Sequence, residues 1–278
     1  MGLDHPWATT HGTATIYDTL GLKYDGFEYT VMSYRGYTRQ VGSNIEYGSW
    51  NEVGANSFAQ TYMMNDIYTL QYMYGADYTT NSGNTTYAWD GVSGDTLVNG
   101  SVWVDGAGSK IFATIWDGGG IDTYDLSAYT TGVTVDLSPG KSSAFDDSQL
   151  ANLGDGRKAA GNIYNALLFG GNTASMIENA IGGSGADTLD GNSISNTLTG
   201  NGGIDILYGK AGNDTLYGNG GTDTYMRVSA DRTELDVGGS PGKTHNVRVR
   251  GVQTTGEKGE WSQGVSITVP KKDKRAEE

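Results

Sequence analysis

Five units of nine residues, each opened by glycine, run without a gap from Gly182 to Met226: GGSGADTLD, GNSISNTLT, GNGGIDILY, GKAGNDTLY and GNGGTDTYM. Their sixth places are Asp187, Asn196, Asp205, Asp214 and Asp223, and their eighth places are Leu189, Leu198, Leu207, Leu216 and Tyr225. Carboxylates at a fixed interval, set among glycine-rich turns whose carbonyls are sterically open, make an all-oxygen donor set. Flexible cages of carboxylate and carbonyl oxygen suit Ca²⁺ better than Mg²⁺. The absence of cysteine leaves oxygen and imidazole as the ligand types available.

The spacing also names the element that must hold these groups. A short strand with its eighth-place side chain turned inward, followed by a glycine-rich turn, makes half a coil, and two units close a coil of eighteen residues. Stacked coils bury a thin ladder of leucine, which is little apolar area for so many ordered glycines, so cation binding must supply further stability. Units two apart then stack on the same side, aligning Asp187 with Asp205 and Asp205 with Asp223. The opposite side pairs Asn196 with Asp214, and Ile194 stands there where glycine is expected. One good calcium side and one poor one are therefore expected.

Two neighbouring segments share this chemistry without the repeat. In WDGGGIDTYDLS, from Trp116, Asp117 and Asp122 flank three glycines, which fits either a further calcium turn or a plain hairpin. Glu178, just ahead of the array, either closes its first cage or faces solvent.

Composition agrees with a turn-rich, mainly β chain: 44 of 278 residues are glycine and 36% are hydrophobic. The formal charge of −14 argues against nucleic acid as a partner, since phosphate neutralisation needs an excess of Lys and Arg. No apolar run approaches the roughly eighteen residues that cross a bilayer, so a soluble chain without a transmembrane segment is expected. Acidic residues dominate up to residue 225 and basic residues slightly outnumber them after it, which places a boundary near Met226.

Ahead of the array stand GLDHP (Gly2 to Pro6), YTVMSY (Tyr29 to Tyr34) and YMMNDIYTLQYMYGA from Tyr62. In the last, Met63, Ile67, Leu70 and Tyr74 recur at helical spacing and predict a helix with that face buried. GLDHP meets the last places of the metzincin pattern HExxHxxGxxH, and YTVMSY has the form of the Met-turn that follows it. Together with TIWDGGGIDTYDLS, IENAIGGSGADTL and the GGxGxDxUx array, which resembles RTX repeats, these stretches make the chain resemble a serralysin, the RTX-bearing metzincin family of secreted bacterial zinc proteases (peptidase M10). The resemblance covers most of residues 1 to 226.

That resemblance implies a truncated C-terminal part of a metzincin catalytic domain over 1–80, then a β-sandwich and parallel β-roll over 81–226. It implies His5 as a zinc ligand, Tyr34 as the phenol that ligates zinc or stabilises the oxyanion, and Met32 as the structural methionine beneath the metal. It further implies several calcium ions held by Asp117, Asp122, Glu178, Asp187, Asp205, Asp214 and Asp223, protein or peptide substrates, and a secreted monomer exported by the bacterial type I route. The sequence contains no HExxH. A catalytic zinc needs three protein ligands and an open place for water, and His11 and His245 read as non-ligands. The expectation is a chain inactive as given, with MGLDHP as the stump of a zinc helix left by a late start codon or a lost front half. Without the missing half, the alternative function is a non-catalytic, calcium-dependent extracellular folding, adhesion or interaction module.

After Met226 the phase of nine stops. THNVRVRGVQ and GVSITV alternate as strands, and with SPGK and GEW they resemble the last strands of a fibronectin type III domain over 227–270. About 45 residues fall short of such a sandwich, so a partial module or a short antiparallel hairpin is expected, followed by the charged tail KKDKRAEE.

Overall fold

The computed structural model describes Tyr24 and residues 26–33, 56–106 and 110–219 in full, and the strands Tyr225–Val228, Val237–Gly239, Thr244–Val247 and Val265–Thr268 as backbone. The fold is mainly β, with one α-helix, α1 (Met64–Tyr74), among the described residues. No described helix is long and apolar enough to cross a membrane.

Two sheets face each other across the array. One has eight strands, in the order Val237–Gly239, Thr215–Asn219, Thr197–Thr199, Asn179–Ile181, Thr123–Asp125, Thr86–Ala88, Thr96–Val98 and Ser101–Val104. The other has four: Tyr225–Val228, Ile206–Lys210, Thr188–Asp190 and Thr134–Asp136. Within the array the strands are parallel and pair eighteen residues apart, Leu189 opposite Leu207 and Leu198 opposite Leu216. Threonine opens most of these strands because its branched Cβ suits a pleated surface, and the period of two turns the next residue inward. Leu189, Leu198, Leu207 and Leu216 are fully buried and continue into Ala180, Tyr124 and Tyr87 on one side and Val135 on the other. The roll thus begins well before the repeats.

The fifth unit slips. Leu207 stands opposite Met226 and not Tyr225, with a shift in register between Tyr208 and Lys210. Beyond it, Val237–Gly239 still adds to the eight-stranded sheet, and Thr244–Val247 pairs antiparallel with Val265–Thr268.

A second core packs Phe27, Met63, Met64, Phe112, Leu153 and Tyr164 together beside the roll. Beside it the turn over residues 26–33 is held in place: Asp66 at the start of α1 accepts from the Thr30 hydroxyl, from Val31 N–H at 2.8 Å and from Met63 N–H at 3.0 Å. Glu28 accepts from Tyr164 Oη at 2.6 Å and from Ala160 N–H at 2.7 Å, tying the same segment to the sheets. The buried face of α1 differs from the helical-spacing expectation. Met63 is buried, but so are Met64, Asp66 and Gln71, whereas Ile67 and Leu70 are half-buried and Tyr74 is 68% exposed. Burying the Asp66 cap under the Thr30 turn rotates the helix, and Ile67, Leu70 and Tyr74 line a cavity instead.

Candidate calcium turns of the roll

Each turn of the roll brings the side chain just before a strand against the coil that precedes it. On the edge leading into the four-stranded sheet the successive residues are Val133, Asp187 and Asp205. Asp187 Oδ1 accepts from Val133 N–H at 2.8 Å, its Oδ2 accepts from Gly183 N–H at 2.8 Å, and Asp205 Oδ1 accepts from Asp187 N–H at 2.9 Å. A carboxylate eighteen residues further on thus caps the backbone of the coil before it. Asp205 is fully buried, and its Oδ2 has no hydrogen-bond partner among the described residues. That oxygen lies over Gly200, where a Cβ would come within 2.2 Å of it. Burial, and then the nearby Asp187 carboxylate, push the Asp205 carboxyl up to about 6, and burial raises Asp187 as well.

The edge leading into the eight-stranded sheet carries Thr85, Asp122, Glu178, Asn196 and Asp214. Asp122 Oδ1 accepts from Thr85 N–H at 2.8 Å, Glu178 Oε2 from Asp122 N–H at 2.7 Å, and Asp214 Oδ1 from Asn196 N–H at 3.1 Å. Asp122 is fully buried with Oδ2 unpartnered among the described residues. Burial, reinforced by the charges of Asp117 and Glu178, pushes Asp122 up to about 7, and burial pushes Glu178 up to about 7 with help from Asp117. Asn196 breaks this pattern. Its Oδ1 accepts from Asn192 N–H at 2.7 Å, and its Nδ2 donates to the Glu178 carbonyl at 2.9 Å and to Asn192 Oδ1 at 3.2 Å.

The sequence-derived residues fall into place as follows. Asp187 and Asp205 share one edge; Asp122, Glu178 and Asp214 share the other. Glu178 is therefore stacked on Asp122, away from the Asp187 turn. Asp117 sits beside Asp122 with both oxygens engaged, Oδ1 by Gly119 N–H and Oδ2 by Tyr87 Oη, each at 2.8 Å. The segment from Trp116 is a turn and strand of the roll, in parallel register with Asn179–Ile181, and not a hairpin. Asp223, His5 and Tyr34 lie outside the described residues. Met32 is half-buried in the turn that Asp66 supports, its N–H donating to Thr30 Oγ1 at 3.0 Å.

Two features escaped the sequence reading, namely that Asp122 belongs to the same stack as the repeats and that Asn196 satisfies its own turn. The first had a signal, because DTYD at Asp122 to Asp125 matches DTLD at Asp187 to Asp190.

Among the described residues no three carboxylate or imidazole side chains converge on one point. A cation here would take one or two carboxylates and complete its shell with backbone carbonyls, as Ca²⁺ does. The donor set fits: buried carboxylate oxygens without hydrogen-bond donors among the described residues, and a Gly200 Cα that leaves room beside the Asp205 Oδ2, suit a hard cation.

Comparison with known proteins agrees. The RTX calcium-binding nonapeptide repeat (4 copies) matches residues 175–193 and 190–225. The chain is 34% identical over 196 residues to "Metalloprotease AprA" of Pseudomonas entomophila, covering 70% of this chain and 35% of that protein. It is 35% identical over 193 residues to "Serralysin C" of Dickeya chrysanthemi, covering 68% and 33%, and 33% identical over 198 residues to "Serralysin" of Proteus mirabilis, covering 69% and 33%. The chain spans about a third of the length of these curated relatives.

Proposed function

We propose, on the premise that this is a serralysin-like protein carrying RTX calcium-binding repeats, that it is the C-terminal portion of a secreted zinc metalloendopeptidase whose roll folds on binding calcium. The observation that carries the calcium half is the buried Oδ2 of Asp205 and of Asp122, each without a hydrogen-bond partner among the described residues. Asp187, Asp205 and Asp223 would hold calcium on one edge, and Asp122, Glu178 and Asp214 on the other, with Asp117 alongside. Bound calcium would neutralise carboxylates that burial otherwise makes costly to ionise. Sites of this class have dissociation constants of about 10⁻⁴ to 10⁻³ M, so the roll would fold outside the cell, where calcium is abundant, and stay loose inside it. Type I export of an unfolded chain is consistent with that switch.

The protease half rests on the similarity to serralysins. His5 and Tyr34 would contribute to a zinc site above Met32, in a catalytic unit that also needs an HExxH helix; the 278 residues contain none. The substrates of that unit would be proteins or peptides, and these residues by themselves would leave casein intact.

A calcium titration followed by circular dichroism tests the first half, with β-structure expected to rise at sub-millimolar to millimolar calcium and to weaken, with a lower melting temperature, in chelator. A chelator-insensitive β signal would sink it. Casein incubated with the zinc-loaded chain tests the second, and chelator-sensitive cleavage would show that catalysis does not need the absent motif. Calcium-dependent folding without cleavage would leave an extracellular folding or interaction module as the function of these residues unaided.

A further inference from the structure

Where α1 faces the strands, Tyr62, Tyr74, Trp103 and Trp116 wall an open cavity of about 570 Å³. Tyr62, Tyr74 and Trp103 are exposed at 40%, 68% and 47%, which extends the aromatic surface past the cavity mouth. Trp116 is held in place: its indole N–H donates to the Asp77 carbonyl at 3.1 Å and its ring packs on Tyr78, centroids 5.6 Å apart. Asp77 is the one charged residue of the wall among the described residues. Thr79 donates to its Oδ1 from N–H at 2.9 Å and from the hydroxyl at 2.6 Å, and these bonds hold the carboxyl below its ordinary range.

Two polar side chains in the wall are buried. Thr114 is engaged with Met63 Sδ at 3.5 Å, whereas Gln71 is 5% exposed and its Oε1 has no hydrogen-bond partner among the described residues. A half-turn about the terminal torsion exchanges the oxygen and nitrogen of that amide, so the floor of the cavity can present an acceptor.

We propose that this cavity receives an arginine side chain presented by another polypeptide. Aromatic faces are negative and attract cations, and a planar guanidinium stacks on them better than a compact ammonium does. Among the described residues the wall offers a carboxylate and an amide and no basic group, while the chain's net charge of −14 disfavours anions and draws cations in. The exposed rim supplies further contact for the residues flanking the arginine. Trp116 adjoins the Asp117 turn, but the occupant proposed here depends neither on calcium ligation nor on peptide hydrolysis.

The test uses the full chain saturated with calcium, its fold verified by circular dichroism, and titrates in acetyl-Gly-Arg-Gly-amide or its citrulline counterpart, which keeps the shape and loses the charge. Tryptophan indole N–H resonances report binding. Saturable shifts are expected with the arginine peptide, weakened at least about fivefold by citrulline, by Trp103→Ala and by Asp77→Asn. Trp103 lies on an exposed edge strand and asparagine preserves the Asp77 turn, so neither variant disturbs the core. Equal binding of the citrulline peptide, indifference to both variants, or shifts that never saturate would overturn the proposal. A roll that folds without calcium would count against the calcium reading while leaving this one intact.

Discussion

The Asp205 and Asn196 turns, on opposite edges of the roll, are built from the same repeat and solve the same problem differently. At the Asp205 turn, a carboxylate caps the preceding coil with one oxygen and leaves the other buried without a donor among the described residues. At the Asn196 turn, the amide donates its own N–H groups to the Glu178 carbonyl and to Asn192. One atom changes from acceptor to donor and the turn becomes self-sufficient. The sixth-place amide of Asn196 thus supplies donors within the roll, whereas the sixth-place carboxylate of Asp205 keeps an open acceptor that a cation would complete.

The comparison is broken most severely by removing calcium at neutral pH. In chelator, carboxyls held up to about 6 or 7 (Asp205, Asp122, Glu178) bind protons more tightly in the folded state than in the unfolded one. Folding is then most favourable below the unfolded carboxyl range near pH 4 and loses stability as pH rises through 6 to 7. Chelated protein should melt higher at pH 5 than at pH 7.5, whereas calcium affinity should climb over that interval; thermal scans at both pH values check the pair.

Next comes Asp205→Ala, which removes both the cap on Asp187 N–H and a carboxylate of the cage. A loss of roughly 3 kcal/mol of calcium-saturated stability is expected, the scale for breaking a buried ionic contact, measured by denaturant unfolding. Asn196→Ala should cost only about 1 to 2 kcal/mol, and equally with or without calcium, because it removes neutral hydrogen bonds. Equal calcium sensitivity of the two variants would erase the distinction between the turns.

Asn196→Asp sharpens it from the other side. The new carboxylate should raise the calcium stoichiometry in isothermal titration and lower stability in chelator by about 1 kcal/mol or more, the cost of losing buried donors. The smallest effect belongs to Lys210→Asn. Lys210 pairs with Asp136 at 2.7 Å and Asp190 at 3.7 Å, but its φ of 65° is a conformation asparagine adopts more readily. With its side chain a third exposed, the net change in unfolding free energy should stay within about 0.5 kcal/mol.

How much was legible follows from the same residues. The roll was readable because glycine, aspartate and leucine recur in phase, and the short strands and their eighteen-residue stacking follow from that period. The turn at Asp122 was half-hidden, since residues 126 to 181 separate its DTYD from the array and no period spans them. Only the parallel register of Thr123–Asp125 with Asn179–Ile181 unites them. The face of α1 was misjudged because helical spacing registers apolarity and not a buried aspartate cap: Asp66 is 2% exposed under the Thr30 turn.

The sequence by itself determined the repeat, its handover from glycine turn to leucine strand, and the supply of oxygen ligands, because local conformation and side-chain chemistry are properties of each nonapeptide alone. Only the tertiary structure decided which carboxylates meet. The pairing of Asp187 with Asp205, of Asp122 with Glu178, and of Asn196 with the Glu178 carbonyl and Asp214 depends on which coil lies beneath which. Burial then sets the charge these groups carry, since desolvation is a property of the stack and not of any residue in it.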